Sequence, residues 1–280
     1  MDKQIVYILS TNYAGSHFLA LQLGSHSQCA SIGELHHFRR KNSPHRACIM
    51  CDSDDVCPVF SGVKENPIPK IYDAVFSNLG AYDANISTVF DNSKKVRWAR
   101  RFLKPDGYTR KYIHLIRDPR ALVRRWMMSF DVPTKKKMRL KTARRCWRHA
   151  WDILTGDEAN VYIWDWLYEN QQITHFIKKN NLDAQIVTYH DLVFKTDESL
   201  SRLVKWLGHD YESEQKNYWN FIHHGSGKRS LSYTPKSMGE KADQEWKSFL
   251  DEQTQQRSAN RRDKGIAAKN CRIRTPARAE

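Results

Sequence analysis

Apolar residues arrive along this chain in short bursts separated by polar turns. The first burst, Ile5-Val6-Tyr7-Ile8-Leu9, is rich in β-branched side chains and predicts a buried strand. A polar turn, Ser10 to Ser16, follows it. Phe18, Leu19, Leu21 and Leu23 then give a broad helical face that stops near Gly24. Ile86 to Phe90 predicts a second strand, ending at Asp91-Asn92-Ser93-Lys94. Tyr112 to Ile116 predicts a third, running into Arg117-Asp118-Pro119-Arg120. Asp118 is placed to cap a helix, Pro119 suits its first position, and Leu122, Val123, Trp126 and Met127 form its face.

Residues 134–154 begin basic and continue with Cys146, Trp147, Ala150, Trp151 and Leu154 at helical spacing, which assigns Trp147 and Trp151 to the core. A further helix is predicted over Tyr162 to Lys179 and a fourth strand over Ile186 to Tyr189. Asp197 then caps a helix carrying Leu200, Leu203, Val204 and Leu207, and Gly208 ends it. Strands alternating with helices predict an α/β fold, a mostly parallel central sheet with helices on both faces. Residues 1–254 form one domain in this reading, with a Cys-bearing, loop-rich insertion at about 38–69. From residue 255 the apolar pattern stops. Arg257, Arg261, Arg262, Lys264, Lys269, Arg272, Arg274 and Arg278 predict a basic, disordered tail over 255–280.

Composition sharpens this picture in two ways. With 280 residues, 40% hydrophobic and nine Trp, the chain can bury a real core and is not of disordered type. Its formal net charge of +15 bears on partners more than on fold. Nucleic acid, a membrane surface and anionic small molecules are all compatible with it, and a multiply phosphorylated nucleotide suits it well. No apolar run approaches the roughly 20 residues of a membrane span, and none resembles a signal segment. A soluble cytoplasmic protein is therefore expected. Six Cys in that compartment should stay reduced, so their spacing points to metal before disulfides.

Two segments carry anion chemistry. The first, Ser10-Thr11-Asn12-Tyr13-Ala14-Gly15-Ser16-His17, lies between a strand and a helix. Free N–H groups and the positive dipole end at a helix start favour phosphate, Gly15 lets the backbone approach closely, and Ser16 adds a hydroxyl. The Walker pattern G-x-x-x-x-G-K-[ST] is absent, and no Lys follows Gly15, which disfavours a P-loop kinase. The second segment, Lys111 to Ala121, puts Arg117 where a buried strand ends. There its forked donors suit phosphate, and ligands of open α/β sheets sit at the carboxyl ends of strands.

Taken together, these segments resemble the sulfotransferase family, whose fold is P-loop-NTPase-like. Gly15 and Ser16 match the last two positions of its 5′-phosphosulfate loop, and Ala14 stands in for a small Ser. Leu115 to Ala121 matches its Leu-x-Arg-Asp-Pro-Arg-Ala element for the 3′-phosphate. Phe90 to Lys94 is similar to the strand-end Asp-x-Ser-Lys of bacterial members, and Val187 to Val193, followed by Trp206-Leu207-Gly208, is similar to the family's Tyr-Glu-Asp-Leu strand and later Phe-Leu-Gly. The resemblance runs over residues 4–230 in the same order. It implies that Asn12, Tyr13, Ala14, Gly15, Ser16, His17, Arg117 and Arg125 hold 3′-phosphoadenosine 5′-phosphosulfate (PAPS). His223 to Arg229 resembles the family's Gly-rich late loop, a resemblance that implies Lys228 and Arg229 near the 3′-phosphate. Two positions depart from the family: Tyr13 replaces the loop's Arg or Lys, and Arg125 replaces the 3′-phosphate serine. The missing loop cation leaves Lys94 or His17 to neutralise the leaving phosphate.

The implied reaction is in-line transfer of a sulfuryl group from PAPS to a hydroxyl or amine of a sugar, lipid, peptide or small molecule, with no metal required. The acceptor needs a base, and Glu34 is the first candidate, with His36 and His37 as alternatives. The basic run Lys135 to Lys141, with Arg144 and Arg145, either lines a groove for an anionic acceptor or is a solvated helix face. Cys48-x-x-Cys51-x5-Cys57, with His45 just before, has ligand spacing for a structural zinc. Two other functions compete: a PAPS-binding pseudoenzyme, suggested by Tyr13, and a nucleic-acid-binding protein, suggested by charge and tail.

Overall fold

The protein was analysed as a computed structural model, which describes residues 2–39, 48, 50–51, 57–104, 106–225 and 244–267. Among these residues the sheet has five strands: β1 (Gln4–Ser10), β2 (Cys29–Gly33), β3 (Thr88–Lys94), β4 (Thr109–Ile116) and β5 (Ala184–Thr188). Their order is β2-β3-β1-β4-β5, and every neighbouring pair is parallel. The helices along the chain are α1 (Ser16–Leu23), α2 (Ile71–Tyr82), α3 (Val96–Ala99), α4 (Pro119–Ser129), α5 (Val132–Arg145) and α6 (Ala150–Thr155). They continue with α7 (Glu158–Lys179), α8 (Tyr189–Phe194), α9 (Thr196–Leu207), α10 (Trp246–Phe249) and α11 (Glu252–Ala267).

The central strand explains the layering. Ile5, Tyr7 and Leu9 of β1 point into one apolar layer with Tyr72, Val75 and Phe76 of α2 and Ile173, Phe176 and Ile177 of α7. Val6 and Ile8 point into the opposite layer with Leu19, Ala20 and Leu23 of α1 and Leu200, Leu203, Val204 and Leu207 of α9. A strand buried on both faces is apolar along its core, as β1 is from Ile5 to Leu9. A third cluster joins α4 to α7 through Leu122, Trp126, Tyr162 and Trp166. The expected α/β architecture, with helices on both faces of a parallel sheet, is thus the observed one. No helix among the described residues is long and apolar enough to cross a membrane.

Several local expectations change. The pattern did not foretell β2, whose Cys-Ala-Ser-Ile-Gly sequence has little apolar bulk, or α2, whose Ile71, Tyr72, Val75, Phe76 and Leu79 do recur at helical spacing. The strand predicted to end at Phe90 continues to Lys94, because its buried Asp91 is satisfied: Tyr72 Oη donates to it at 2.6 Å, Trp98 Nε1 at 2.7 Å and Ser93 N–H at 2.8 Å. Asp118 caps α4 and Gly208 ends α9 with φ of +91°, as expected. Asp197 is not a cap. It lies inside the first turn of α9, where its carboxylate accepts hydrogen bonds from Tyr211 Oη and Lys216 Nζ.

Trp147 and Trp151, assigned to the core by spacing, are 70% and 80% exposed. The helix is interrupted at Cys146 between α5 and α6, so their periodicity does not continue one helix face. The expected disordered tail instead begins with α11, which packs on α4 and α7. Two of its arginines have partners there: Arg257 binds Asp157, and Arg261 lies 3.5 Å from the centre of the Trp164 ring and 3.7 Å from Asp152. Residues 268–280 lie outside the described residues.

Candidate active site

Parallel pairing brings the carboxyl ends of all five strands to one edge of the sheet. Leu9 pairs with Lys94 and Ser10 with Leu115, so the segment after β1 lies between the end of β3 and the end of β4. Glu34 follows β2, Arg117 follows β4 by one residue, and Tyr189 follows β5. The edge where α/β sheets bind ligands therefore carries the residues singled out by sequence.

The turn from β1 into α1 is built for a close approach. Gly15 has φ of +95°, a left-handed conformation that costs most residues free energy. A Cβ on Gly15 would lie 2.5 Å and 2.6 Å from ring carbons of Tyr189, so the ring fills the space a side chain would take. Tyr13, before it, also has a positive φ, of +65°, and is exposed together with Asn12, whereas Ala14 is buried. At the start of α1, Ser16 is 1% exposed and its hydroxyl has no hydrogen-bond partner among the described residues. A buried hydroxyl without a partner costs about 1–3 kcal/mol, which a ligand oxygen at this helix start would relieve.

Two arginines close the turn from the β4 side. Arg117 donates from Nη1 to the carbonyl oxygen of Tyr13 at 3.0 Å, and its guanidinium lies 4.0 Å from the centre of the Tyr189 ring. Its own carbonyl accepts a hydrogen bond from Trp166 Nε1 at 3.0 Å, which fixes the backbone there. Arg125, exposed on α4, lies 5.2 Å from the centre of the Tyr13 ring. The Tyr that replaces the loop cation is thus flanked by two guanidinium groups.

The three residues expected to do acid, base or charge work also converge. Lys94 forms an ion pair with Glu34, and His37 Nε2 lies 3.2 Å from the other Glu34 oxygen. Burial pushes the Glu34 carboxyl up, but the His37 hydrogen bond and the Lys94 charge outweigh it and hold the group well below the usual carboxylate range. Burial pulls the Lys94 ammonium down, against the charge of Glu34. His17 is pushed down to about 4 by burial, reinforced by the charge of Lys94, so it is neutral at pH 7. Its Nε2 is buried without a partner among the described residues. Lys94 also has φ of +65°, a conformation sparsely populated by non-glycine residues and held here by the surrounding structure. His36 donates its backbone N–H to Ser93 Oγ at 3.1 Å, which ties this cluster to β3. Glu34, His36 and His37 offer ligand atoms close to one another, but the ammonium of Lys94 already supplies a cation to the carboxylate.

Cys48, Cys51 and Cys57 come together as their spacing suggests, and among the described residues the histidine beside them is His224, with its Nδ1 at 3.7, 3.5 and 3.8 Å from the three sulfurs. His45, the expected partner, lies outside the described residues, as do Lys228 and Arg229. Sequence reasoning missed His224 as a cluster member and Tyr189 as the floor of the turn. Both lie in segments flagged for other reasons, and nothing local marks either for the role it takes.

No family model matches the chain, and no curated protein matches it. Solved structures do. A sulfotransferase domain from the curacin biosynthetic pathway is similar over 93% of this chain and 98% of its own, with a TM-score of 0.57 and 19% identity. A sulfotransferase domain from the Synechococcus PCC 7002 olefin synthase is similar over 93% of this chain and 95% of its own, with a TM-score of 0.51 and 18% identity. The chain has the sulfotransferase fold.

Proposed function

We propose that this chain is a sulfotransferase that takes its sulfuryl group from PAPS. The observation that carries the reading is the turn at Gly15. An unpartnered buried Ser16 hydroxyl at a helix start sits on a turn that Arg117 braces from the end of the next strand. In this reading the N-terminus of α1, Asn12, Ala14 and Ser16 hold the 5′-phosphosulfate, and Arg117 with Arg125 holds the 3′-phosphate.

An acceptor oxygen or nitrogen attacks sulfur in line. The bond from sulfur to the 5′-phosphate oxygen breaks, and 3′-phosphoadenosine 5′-phosphate leaves with the electron pair. Lys94 neutralises that charge, because His17 is neutral at pH 7 and Tyr13 carries none. Glu34 accepts the acceptor's proton. While paired with Lys94 it is a weak base. A donor phosphate that drew Lys94 away would raise its proton affinity, so binding of the donor would ready the base.

The test is a thermal shift with 3′-phosphoadenosine 5′-phosphate, with ATP and NAD as controls, on wild type and Arg117→Ala. A ligand that binds only the native state raises the melting temperature. Stabilisation by the bisphosphate that is lost in Arg117→Ala supports the reading. No shift up to millimolar concentration overturns it and turns attention to nucleic acid. Tyr13 in place of a cation favours a second reading, a PAPS-binding pseudoenzyme; the bisphosphate would then bind without sulfuryl transfer to any acceptor.

A further inference from the structure

We propose that Cys48, Cys51, Cys57 and His224 bind one zinc ion that fastens the insertion to the chain beside the candidate base. Zinc takes tetrahedral sites of three Cys and one His, with Zn–S near 2.3 Å and Zn–N near 2.0–2.1 Å. Those lengths at a tetrahedral angle require a sulfur-to-nitrogen separation of about 3.6 Å. The three observed separations from His224 Nδ1 are 3.7, 3.5 and 3.8 Å. All the candidate ligand atoms lie within 4.8 Å of one another. The backbone N–H of Met50 donates to Cys48 Sγ at 3.4 Å, the kind of outer contact that steadies a zinc-bound thiolate.

The site has a structural purpose. Cys48 and Cys57 are buried at the edge of the layer formed with α2, where Val59, Phe60 and Val63 carry the insertion's small share of core. His224 comes from far along the chain and is followed by Gly225. A Cβ on Gly225 would lie 3.2 Å from the backbone nitrogen of Gly33, the residue before Glu34. On the other side of His224, His223 Nε2 lies 2.9 Å from the Tyr218 carbonyl oxygen and 3.3 Å from Ser25 Oγ. Zinc would hold His223 to Gly225 against the end of β2 and so brace the backbone that presents Glu34. The thiols lose their protons as the metal binds. Metal binding here does not require the proposed sulfuryl transfer to occur, and that reaction needs no metal of its own.

The test measures metal per chain by mass spectrometry on protein purified under reducing conditions, together with the absorption of the cobalt-substituted protein. One zinc per chain, with thiolate-to-cobalt charge-transfer bands and intense visible bands of a tetrahedral site, is expected. Cys57→Ser and His224→Ala should lower the metal content at least tenfold, whereas His45→Ala and the ligand-preserving His224→Cys should retain it. Substoichiometric zinc in wild type, without charge-transfer bands on cobalt addition, overturns the site. Loss of metal in His45→Ala with retention in His224→Ala overturns the ligand set. The wild-type cobalt spectrum and His224→Cys keep the result readable if an alanine variant fails to fold, and neither depends on nucleotide binding.

Discussion

Arg117 Nη1 donates to the carbonyl oxygen of Tyr13 at 3.0 Å, so the end of β4 holds the turn that leaves β1. The guanidinium does this while resting on the Tyr189 ring, which also floors Gly15. One side chain thus links both proposed phosphate elements. Arg117→Lys keeps the charge but loses the fork and the stacking. Binding of 3′-phosphoadenosine 5′-phosphate, measured by calorimetry, should weaken about tenfold in Arg117→Lys and about 100-fold in Arg117→Ala, a loss of about 1.4 and 2.7 kcal/mol. Equal affinity in wild type and Arg117→Ala would remove Arg117 from the nucleotide site.

Gly15→Ala should damage both stability and binding. The left-handed φ alone costs about 1–2 kcal/mol, and the new Cβ meets the Tyr189 ring at 2.5 Å. The Tyr189 ring must move, and with it the support of Arg117. A lowered melting temperature and at least tenfold weaker bisphosphate binding are expected. Adding Tyr189→Ala removes the clash at the cost of a buried ring, so the double variant should lose less stability than the sum of the two single variants. A single variant as stable as wild type would show that the turn is not held as described.

The Glu34 and Lys94 pair should behave as a unit in a double-mutant cycle. Glu34→Gln leaves a largely buried ammonium without its counter-charge, and Lys94→Met leaves the carboxylate. Removing one partner of a buried pair costs about 3–5 kcal/mol, and the low end applies because Glu34 is partly exposed. The double variant should lose less than the sum of the two, as read by urea denaturation. Strict additivity would mean that the two charges do not interact.

Stability should fall with acid in a window set by His17 and Glu34. The folded His17 titrates near 4 against an ordinary 6.5, because burial and Lys94 oppose its charged form. Between these values the unfolded chain binds more protons, so stability rises with pH across the window and is lost as pH falls through it. The groups that bear electrostatically on His17 are Lys94, Glu34 and His223. Glu34, held below its ordinary value, adds a loss of the same sign lower down, as pH falls through the usual carboxylate range. From pH 6.5 to 5 the His17 contribution falls by about 1.6 kcal/mol, or about 3–6 °C in melting temperature. His17→Gln should flatten that part of the profile. An unchanged slope in the variant would show that His17 is not held neutral.

What could be read from the sequence was what neighbouring residues decide together. Ile5 to Leu9 alternates between two buried layers, and a turn and an amphipathic helix follow directly, so the strand–turn–helix start and the α/β fold were legible. Asp118 caps α4 because its partner is only two residues away. The proposed anion contacts at Gly15, Ser16 and Arg117 share that local character, since each sits where a strand gives way to a turn. The polar end of β3 was read short because Asp91 finds its donors in Tyr72 and Trp98, on separate helices.

Tertiary structure alone decided the pairings between distant segments. Sheet order brings Lys94 to Glu34 across 60 residues, and no periodicity in either segment encodes it. His224 joins Cys57 across 167 residues, where spacing had offered the adjacent His45. Trp147 and Trp151 follow a helical period yet face solvent, because the helix is interrupted at Cys146 and turns their face away from the core. Basic residues read as a loose tail form α11, because Arg257 and Arg261 meet acids on the segment spanning α6 and α7. Periodicity reports which residues prefer burial or a given backbone form, through energies local to a turn or two of chain. Which ligand meets which thiol, and which charge meets which, depends on long-range closure set by packing of the whole core.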